Sequence, residues 1–126
     1  LEGMLLKPNM VLSGKDCPTQ ADSKIVALLS LQAFKDSVPA EVAGIAFLSG
    51  GQSADFATEN LWEIGKQSLS PGDKIGGPWP LTFSYSRALQ NEPMIVWSGK
   101  EENVAAAQKA FLERLKKVSQ ANSRAT

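Results

Sequence analysis

The chain has 126 residues, 43% of them hydrophobic and 21% charged, and its thirteen basic and thirteen acidic residues balance to a formal net charge of zero. That suffices for one modest domain of ordinary globular composition, with no global field pointing to nucleic acid or an anionic membrane, so any bound anion is held by a local arrangement. The single cysteine, Cys17, and the lack of histidine exclude an intrachain disulfide, argue against a protein-ligated zinc and a Cys–His pair, and fit a reducing compartment.

Leu1 to Leu6 is a short apolar run that reads as a buried strand, ended at Lys7-Pro8-Asn9 because proline removes a donor. These residues do not form a basic-then-apolar signal peptide and carry no initiator methionine, so the chain is expected to open in the middle of a folded unit. No apolar run nears the roughly 18–20 residues of a membrane span. A polar stretch with Gly14 and Pro18 leads to Thr19, the expected cap of a helix running to about Ser37. Asp22 then falls in its first turn, suited to the positive end of the helix dipole. Ile25, Leu28, Leu29 and Ala33 supply a core-facing stripe, and Val38-Pro39 stops the helix.

Gly44 to Leu48 is a second buried strand, broken by Ser49-Gly50-Gly51-Gln52. Ser53 is the expected cap of a second helix, with Phe56, Ala57, Asn60, Leu61 and Ile64 on one face. Residues 65–80 read as a loop rich in Gly, Pro and Ser, with turn signals at Pro71-Gly72 and Gly76-Gly77-Pro78. A third strand is expected from Leu81 to Tyr85, followed by Ser86 and Arg87 and a short helical turn at Ala88-Leu89-Gln90. Ser98-Gly99-Lys100-Glu101 has the spacing of a capping box for a final helix to about Asn122. Its stripe is Val104, Ala107, Phe111, Leu115 and Val118, and Glu113-Arg114-Leu115-Lys116-Lys117 reads as its solvated face.

Buried strands alternating with amphipathic helices imply an α/β fold, a parallel sheet with helices packed outside it. An open doubly wound sheet and a (β/α) barrel both fit, and both place their sites at the C-terminal strand ends. Three clusters lie there. Lys7 is flanked by Met4-Leu5-Leu6 and Pro8, an apolar wall of the kind that helps an amine shed its proton and attack a carbonyl. Spacing alone favours the ordinary alternative, a strand-end lysine whose ammonium reaches water. Ser49, Gly50 and Gly51 follow a strand and precede a helix, where free backbone N–H groups and the helix dipole suit a phosphate; a plain turn fits equally well. Ser84, Ser86 and Arg87 offer hydroxyls and a guanidinium to phosphate oxygens, against the commoner fate of an arginine in a structural ion pair. Trp62, Trp79 and Trp97 read as packing groups, and Cys17 as incidental.

The words around these clusters resemble one family. Leu1-Glu2-Gly3-Met4-Leu5-Leu6-Lys7-Pro8-Asn9-Met10-Val11 is similar to the Schiff-base segment of class I fructose-1,6-bisphosphate aldolases, in which the lysine before Pro-Asn-Met is covalent. Phe47-Leu48-Ser49-Gly50-Gly51-Gln52-Ser53 resembles the family's phosphate loop. Leu81 to Gln90 resembles its last strand, with Ser84 and Arg87 at substrate-binding positions. Gly99-Lys100-Glu101-Glu102-Asn103 and Ala121-Asn122-Ser123 resemble its final helix region. The resemblance spans nearly the whole chain.

It implies a (β/α)₈ TIM barrel, of which residues 1–126 are the C-terminal part, supplying about the last three strand–helix units. It also implies reversible cleavage of fructose 1,6-bisphosphate to dihydroxyacetone phosphate and glyceraldehyde 3-phosphate. Lys7 is then catalytic, and Ser49, Gly50, Gly51, Ser84 and Arg87 hold phosphate. No metal or other cofactor is implied, the partners are small-molecule sugar phosphates, and the complete enzyme is expected to be a cytoplasmic homotetramer. Ser86 departs from the family's usual glycine or alanine, and the loop from Gly65 to Pro80 is longer than the common form. The acid/base glutamate and the tail tyrosine have no counterparts here, so the chain taken alone is expected to be inactive. A transaldolase-like Schiff-base barrel, or an inactive fragment serving as an interaction module, is the alternative.

Overall fold

The computed structural model describes residues 1–69 and 76–123. Three short strands, β1 (Leu5–Leu6), β2 (Gly44–Phe47) and β3 (Leu81–Phe83), form a parallel sheet in that order. Leu5 lies opposite Gly44, and Ile45 opposite Leu81. Each strand leads to a helix: α1 (Ser23–Ser37), α2 (Ala54–Ser68) and α3 (Arg87–Trp97). A 3₁₀ turn (Glu101–Asn103) then opens α4 (Val104–Asn122). The expected alternation of parallel strands and helices is therefore present. The sheet is open at β1 and β3, and no closed barrel is formed by the described residues.

The core lies between the sheet and α1 and α2. Ile45 and Phe47 of β2 are buried with Val26, Leu31, Leu61 and Ile64, and the Phe34 and Phe47 rings stand 5.7 Å apart. The second helix follows its expected design. Ser53 caps it by accepting from the Phe56 N–H at 3.2 Å, and Ala57, Asn60, Leu61 and Ile64 are buried. It runs on to Ser68, beyond the Gly65 at which a loop was expected; the Pro71-Gly72 turn signal lies outside the described residues. Trp79 packs into the core and donates its indole N–H to Pro39 O at 2.8 Å, whereas Trp97 is exposed.

Several expectations are corrected. The helix α1 is capped by Asp22, whose Oδ1 accepts from the Ile25 N–H at 3.0 Å, and not by Thr19. Its buried face is Val26, Ala27, Ser30, Leu31 and Phe34, while Ile25, Leu28 and Leu29 are exposed. Apolar residues ring much of this helix, so periodicity permits two phases. The buried serines set the observed one: Ser30 Oγ accepts from the Val11 N–H and Ser23 Oγ donates to Glu59, both at 2.8 Å.

The first strand shrinks to Leu5–Leu6, because Leu1 to Met4 makes a turn closed by Met4 N–H on Leu1 O at 2.9 Å. Leu1, Met4 and Leu5 are exposed on this edge, so the apolar wall expected beside Lys7 is not formed by them. The short turn at Ala88-Leu89-Gln90 is instead an eleven-residue helix with Pro93 inside it. The expected capping box at Ser98 is the end of α3: Ser98 adopts φ 52°, its N–H bonds Met94 O, and its Oγ bonds Ile95 O.

A further correction concerns Arg114, expected on the solvated face. It is 3% exposed, and its guanidinium reaches Asp55 Oδ1 at 2.6 Å and Thr58 Oγ1 at 3.2 Å, tying α4 to α2. The hydrogen bond from Arg114, followed by its charge, holds the Asp55 carboxyl below the usual carboxylate range.

That pair yields a directional test. Asp55 has its acidity strengthened by folding, so its contribution is complete above the pKa of an unfolded aspartate, about 4. It is lost as pH falls through the lower folded value. In urea melts of the complete gene product, Asp55→Asn should flatten the stability loss below about pH 4. At pH 7, Asp55→Ala should cost about 1.5–3 kcal/mol, because it strands the buried guanidinium. Arg114→Met should cost less, because the 86%-exposed Asp55 side chain simply rehydrates. The reverse order would show that packing, not the charge pair, makes this contact.

Candidate functional site at the strand ends

The carboxyl ends of the three strands are held level by backbone bonds that continue past the strands. Pro8 has no N–H to give, but its carbonyl accepts from Leu48 N–H at 3.0 Å. On the other side, Phe47 O accepts from Ser84 N–H at 2.8 Å. Lys7, the Ser49–Gly51 loop and Ser84 therefore emerge along one rim, in the order of the strands that carry them.

Lys7 is exposed at the end of β1. Ser49 is buried, and its carbonyl accepts from Gln52 N–H at 3.3 Å, closing a tight turn. The turn requires Gly51, which adopts φ +78°. Gly50 is tightly surrounded: a Cβ built on it would lie 3.2 Å from Arg87 Nη2 and 3.2 Å from Leu48 Cδ1. The guanidinium of Arg87, the first residue of α3, thus rests against the glycine backbone of the preceding loop.

Ser84 and Ser86 are exposed beside it. Ser84 has committed its N–H to Phe47, leaving its hydroxyl available, and Ser86 Oγ lies 3.3 Å from Gln90 Oε1. Ser86 occupies the cap position of α3 without a side-chain cap bond. Between them Tyr85 turns inward, donating its hydroxyl to Ala57 O at 2.8 Å; burial pushes that hydroxyl well above its usual range. It anchors the end of β3 to α2.

The structure therefore brings the Gly50 backbone and Arg87 together and sets the Lys7 segment beside the same loop. Reading the sequence missed the side chains that join these parts. The Asn9 amide donates to Gly50 O at 3.2 Å and accepts from Met10 N–H at 2.8 Å. Asn60, fully buried, donates to Gln52 Oε1 at 2.9 Å. The signal for Asn60 was present: an amide within an apolar helix stripe needs a partner. A cavity of about 570 Å³ opens beside the loop, lined by Asn9, Leu12, Lys15, Gly51, Gln52 and Phe56 among others; neither Lys7 nor Arg87 lines it. Among the described residues no three His, Cys, Asp or Glu side chains cluster as a metal site, and no helix is long and apolar enough to cross a membrane.

Chemically, the rim offers an amine, glycine backbone, hydroxyls and a guanidinium within one short stretch of surface. Such a set suits a small phosphorylated carbonyl compound, anchored by its phosphate and presented to the amine.

The family model for glycolytic class-I fructose-bisphosphate aldolase matches residues 1–125. The cytosolic fructose-bisphosphate aldolase 4 of Arabidopsis thaliana is 50% identical over 126 residues, all of this chain and 30% of that protein. Fructose-bisphosphate aldolase 2 of Caenorhabditis elegans is 50% identical over 116 residues, 92% of this chain and 30% of that protein. A solved fructose-bisphosphate aldolase from Plasmodium falciparum, in complex with TRAP and a small-molecule inhibitor, superposes with a TM-score of 0.83 at 42% identity. That match covers 95% of this chain and 33% of the solved one. The chain spans about a third of the length of the relatives it matches.

Gly50→Val tests the contact between the loop and Arg87. The branched side chain must displace the guanidinium or Leu48, so inorganic phosphate binding by the complete gene product should weaken about tenfold in calorimetric titration. A loss under about twofold would mean that the guanidinium and this loop do not act on one anion.

Proposed function

Because the chain belongs to the class I fructose-bisphosphate aldolase family, we propose that it forms the covalent and phosphate-binding part of an enzyme that reversibly cleaves fructose 1,6-bisphosphate. The products are dihydroxyacetone phosphate and glyceraldehyde 3-phosphate. The observation that carries this reading is the placement of the Arg87 guanidinium against the Gly50 backbone, on the rim from which Lys7 emerges. In this proposal the three strand–helix units are the sixth to eighth of a (β/α)₈ barrel, and residues 1–126 are the C-terminal part of that single domain. The exposed edge of β1 is where a preceding strand would pair. The working enzyme is a cytoplasmic homo-oligomer, a tetramer by family likeness; the Arabidopsis relative is named cytosolic.

The chemistry follows from the residues. The Lys7 amine attacks the ketone carbon, and the carbinolamine loses water to give a protonated imine. That cation draws the electron pair of the C3–C4 bond as it breaks, while the C4 hydroxyl gives its proton to a base supplied from outside these residues; glyceraldehyde 3-phosphate is released and an enamine remains. Protonation and hydrolysis then free dihydroxyacetone phosphate and return the amine. The iminium takes the role that a Lewis-acid metal plays in other aldol chemistry. Ser49, the Gly50 and Gly51 backbone, Ser84 and Arg87 hold one phosphate, so that its binding energy fixes the carbonyl beside Lys7.

Borohydride reduction of the complete gene product with dihydroxyacetone phosphate should label the peptide containing Lys7. Label on another lysine, with Lys7 unmodified, sinks the assignment. Lys7→Arg should abolish cleavage, since a guanidinium stays protonated. Arg87→Ala should lower kcat/KM for the bisphosphate roughly ten- to a hundredfold, and less for a substrate lacking the phosphate held there. Expressed alone, residues 1–126 present two open sheet edges and the exposed Ile25, Leu28 and Leu29 of α1. They should aggregate or melt without cooperativity and show no cleavage. A cooperative, active monomer would require a complete site within these residues.

A further inference from the structure

The backbone ladder between the first two strand ends stops after the Leu48–Pro8 bond, and one side chain continues it. Asn9 follows Pro8 directly, and its amide spans from the Lys7 segment to the glycine loop. The orientation of that amide is fixed chemically. Met10 N–H is a donor, 2.8 Å away, so the amide atom facing it is the oxygen. The other end is therefore the NH₂ group, and it meets the Gly50 carbonyl at 3.2 Å. Only an amide satisfies both ends, since a carboxylate would turn an oxygen toward the Gly50 carbonyl.

The far side of the loop is held as well. Gln52 Oε1 accepts from Asn60 Nδ2 at 2.9 Å, and Asn60 is fully buried in α2. Gly50 and Gln52 are thus gripped from β1 and from α2, while Arg87 rests on Gly50 from α3. The loop that would carry the phosphate is spaced from Lys7 by a rung, not by the sheet alone.

We infer that Asn9 is a positioning residue: its amide sets the distance between the covalent lysine and the phosphate-holding glycine loop, so that a phosphorylated ketone reaches Lys7 already aligned. This rests on the aldolase reading above. It predicts a dependence on the substrate's phosphate that neither a catalytic group nor a packing residue would show. A ketone without phosphate does not span the two parts, so their spacing is irrelevant to it. A misplacement of about 1 Å costs on the order of a hundredfold when the substrate does span them.

The experiment compares the unsubstituted complete gene product with Asn9→Asp and Asn9→Ala. The aspartate variant keeps the acceptor for Met10 N–H and for Gln52 Nε2, 3.5 Å away, and loses only the donation to Gly50; the alanine variant loses all three and guards against a charge artefact. Borohydride-trapped label on Lys7 is followed with dihydroxyacetone phosphate and, separately, with dihydroxyacetone, and inorganic phosphate affinity is measured alongside. Both variants should slow trapping of the phosphorylated ketone roughly ten- to a hundredfold, with dihydroxyacetone and phosphate affinity each changed less than about threefold. Equal slowing with both ketones overturns the inference, because Asn9 would then act on Lys7 itself or on the fold. Unchanged trapping overturns it too, as does a fall in phosphate affinity that accounts for the slowing. No label on Lys7 in the unsubstituted protein overturns the Schiff-base reading and this inference with it. Label there, with variants indistinguishable from it, removes only the inference.

Discussion

Everything at the rim depends on β2 having a neighbour on each side. A parallel sheet delivers all its strand ends to the same edge, but it does so at one level only if the register holds past the last paired residue. Here it holds through two single bonds, Leu48 N–H to Pro8 O and Ser84 N–H to Phe47 O. The proline that ends β1 contributes only as an acceptor. Its missing N–H costs nothing on the β2 side and frees Asn9 to leave the ladder and reach the glycine loop with its side chain.

The loop itself shows why two adjacent glycines serve two different ends. Gly51 meets a conformational demand, a left-handed φ within a turn of four residues. Gly50 meets a spatial one, since a Cβ there would crowd both a guanidinium from the next strand–helix unit and the Leu48 side chain. Under the proposed anion reading, this contact has a use. A plain turn has no need to keep a cation against its backbone, and zero net charge means that a phosphate must find its cations locally.

What the sequence made legible was what local rules govern. The strand–helix order, the Ser53 cap and the buried face of α2 all follow from periodicity and capping chemistry, and all are present. The failures fall where a tertiary partner overrides a local preference. The phase of α1 turned on Ser30, whose hydroxyl is buried because a distant loop N–H needs it. Arg114 sat in a run of charges that looked solvated, yet Asp55, fifty-nine residues earlier, draws it inside. Ser98 illustrates a true ambiguity, because Ser-x-x-Glu spacing also suits a left-handed helix end followed by glycine. Pro93 hid α3, since an internal proline lowers helix expectation unless neighbours supply the packing. At the site, strand ends and glycines were visible, while the Asn9 and Asn60 rungs were not, because hydrogen bonds between loops leave no periodic trace.

The second helix bears most of the burden of keeping the loop in place. Its first turns receive polar contacts from every side: Arg114 on Asp55 and Thr58 from α4, Tyr85 on Ala57 from the end of β3, and Ser23 on Glu59 from α1. Asn60 then reaches back to Gln52 within the loop that the helix follows. Each bond alone is worth on the order of 1 kcal/mol. Their convergence matters more than their sum, because a helix fixed from three directions cannot rock without breaking several at once. A loop proposed to bind an anion through its backbone has no side-chain rotamers with which to correct a misplaced frame. The placement of the loop therefore follows the placement of α2, and the buried amide of Asn60, which a purely apolar core would not need, is the group that ties the two together.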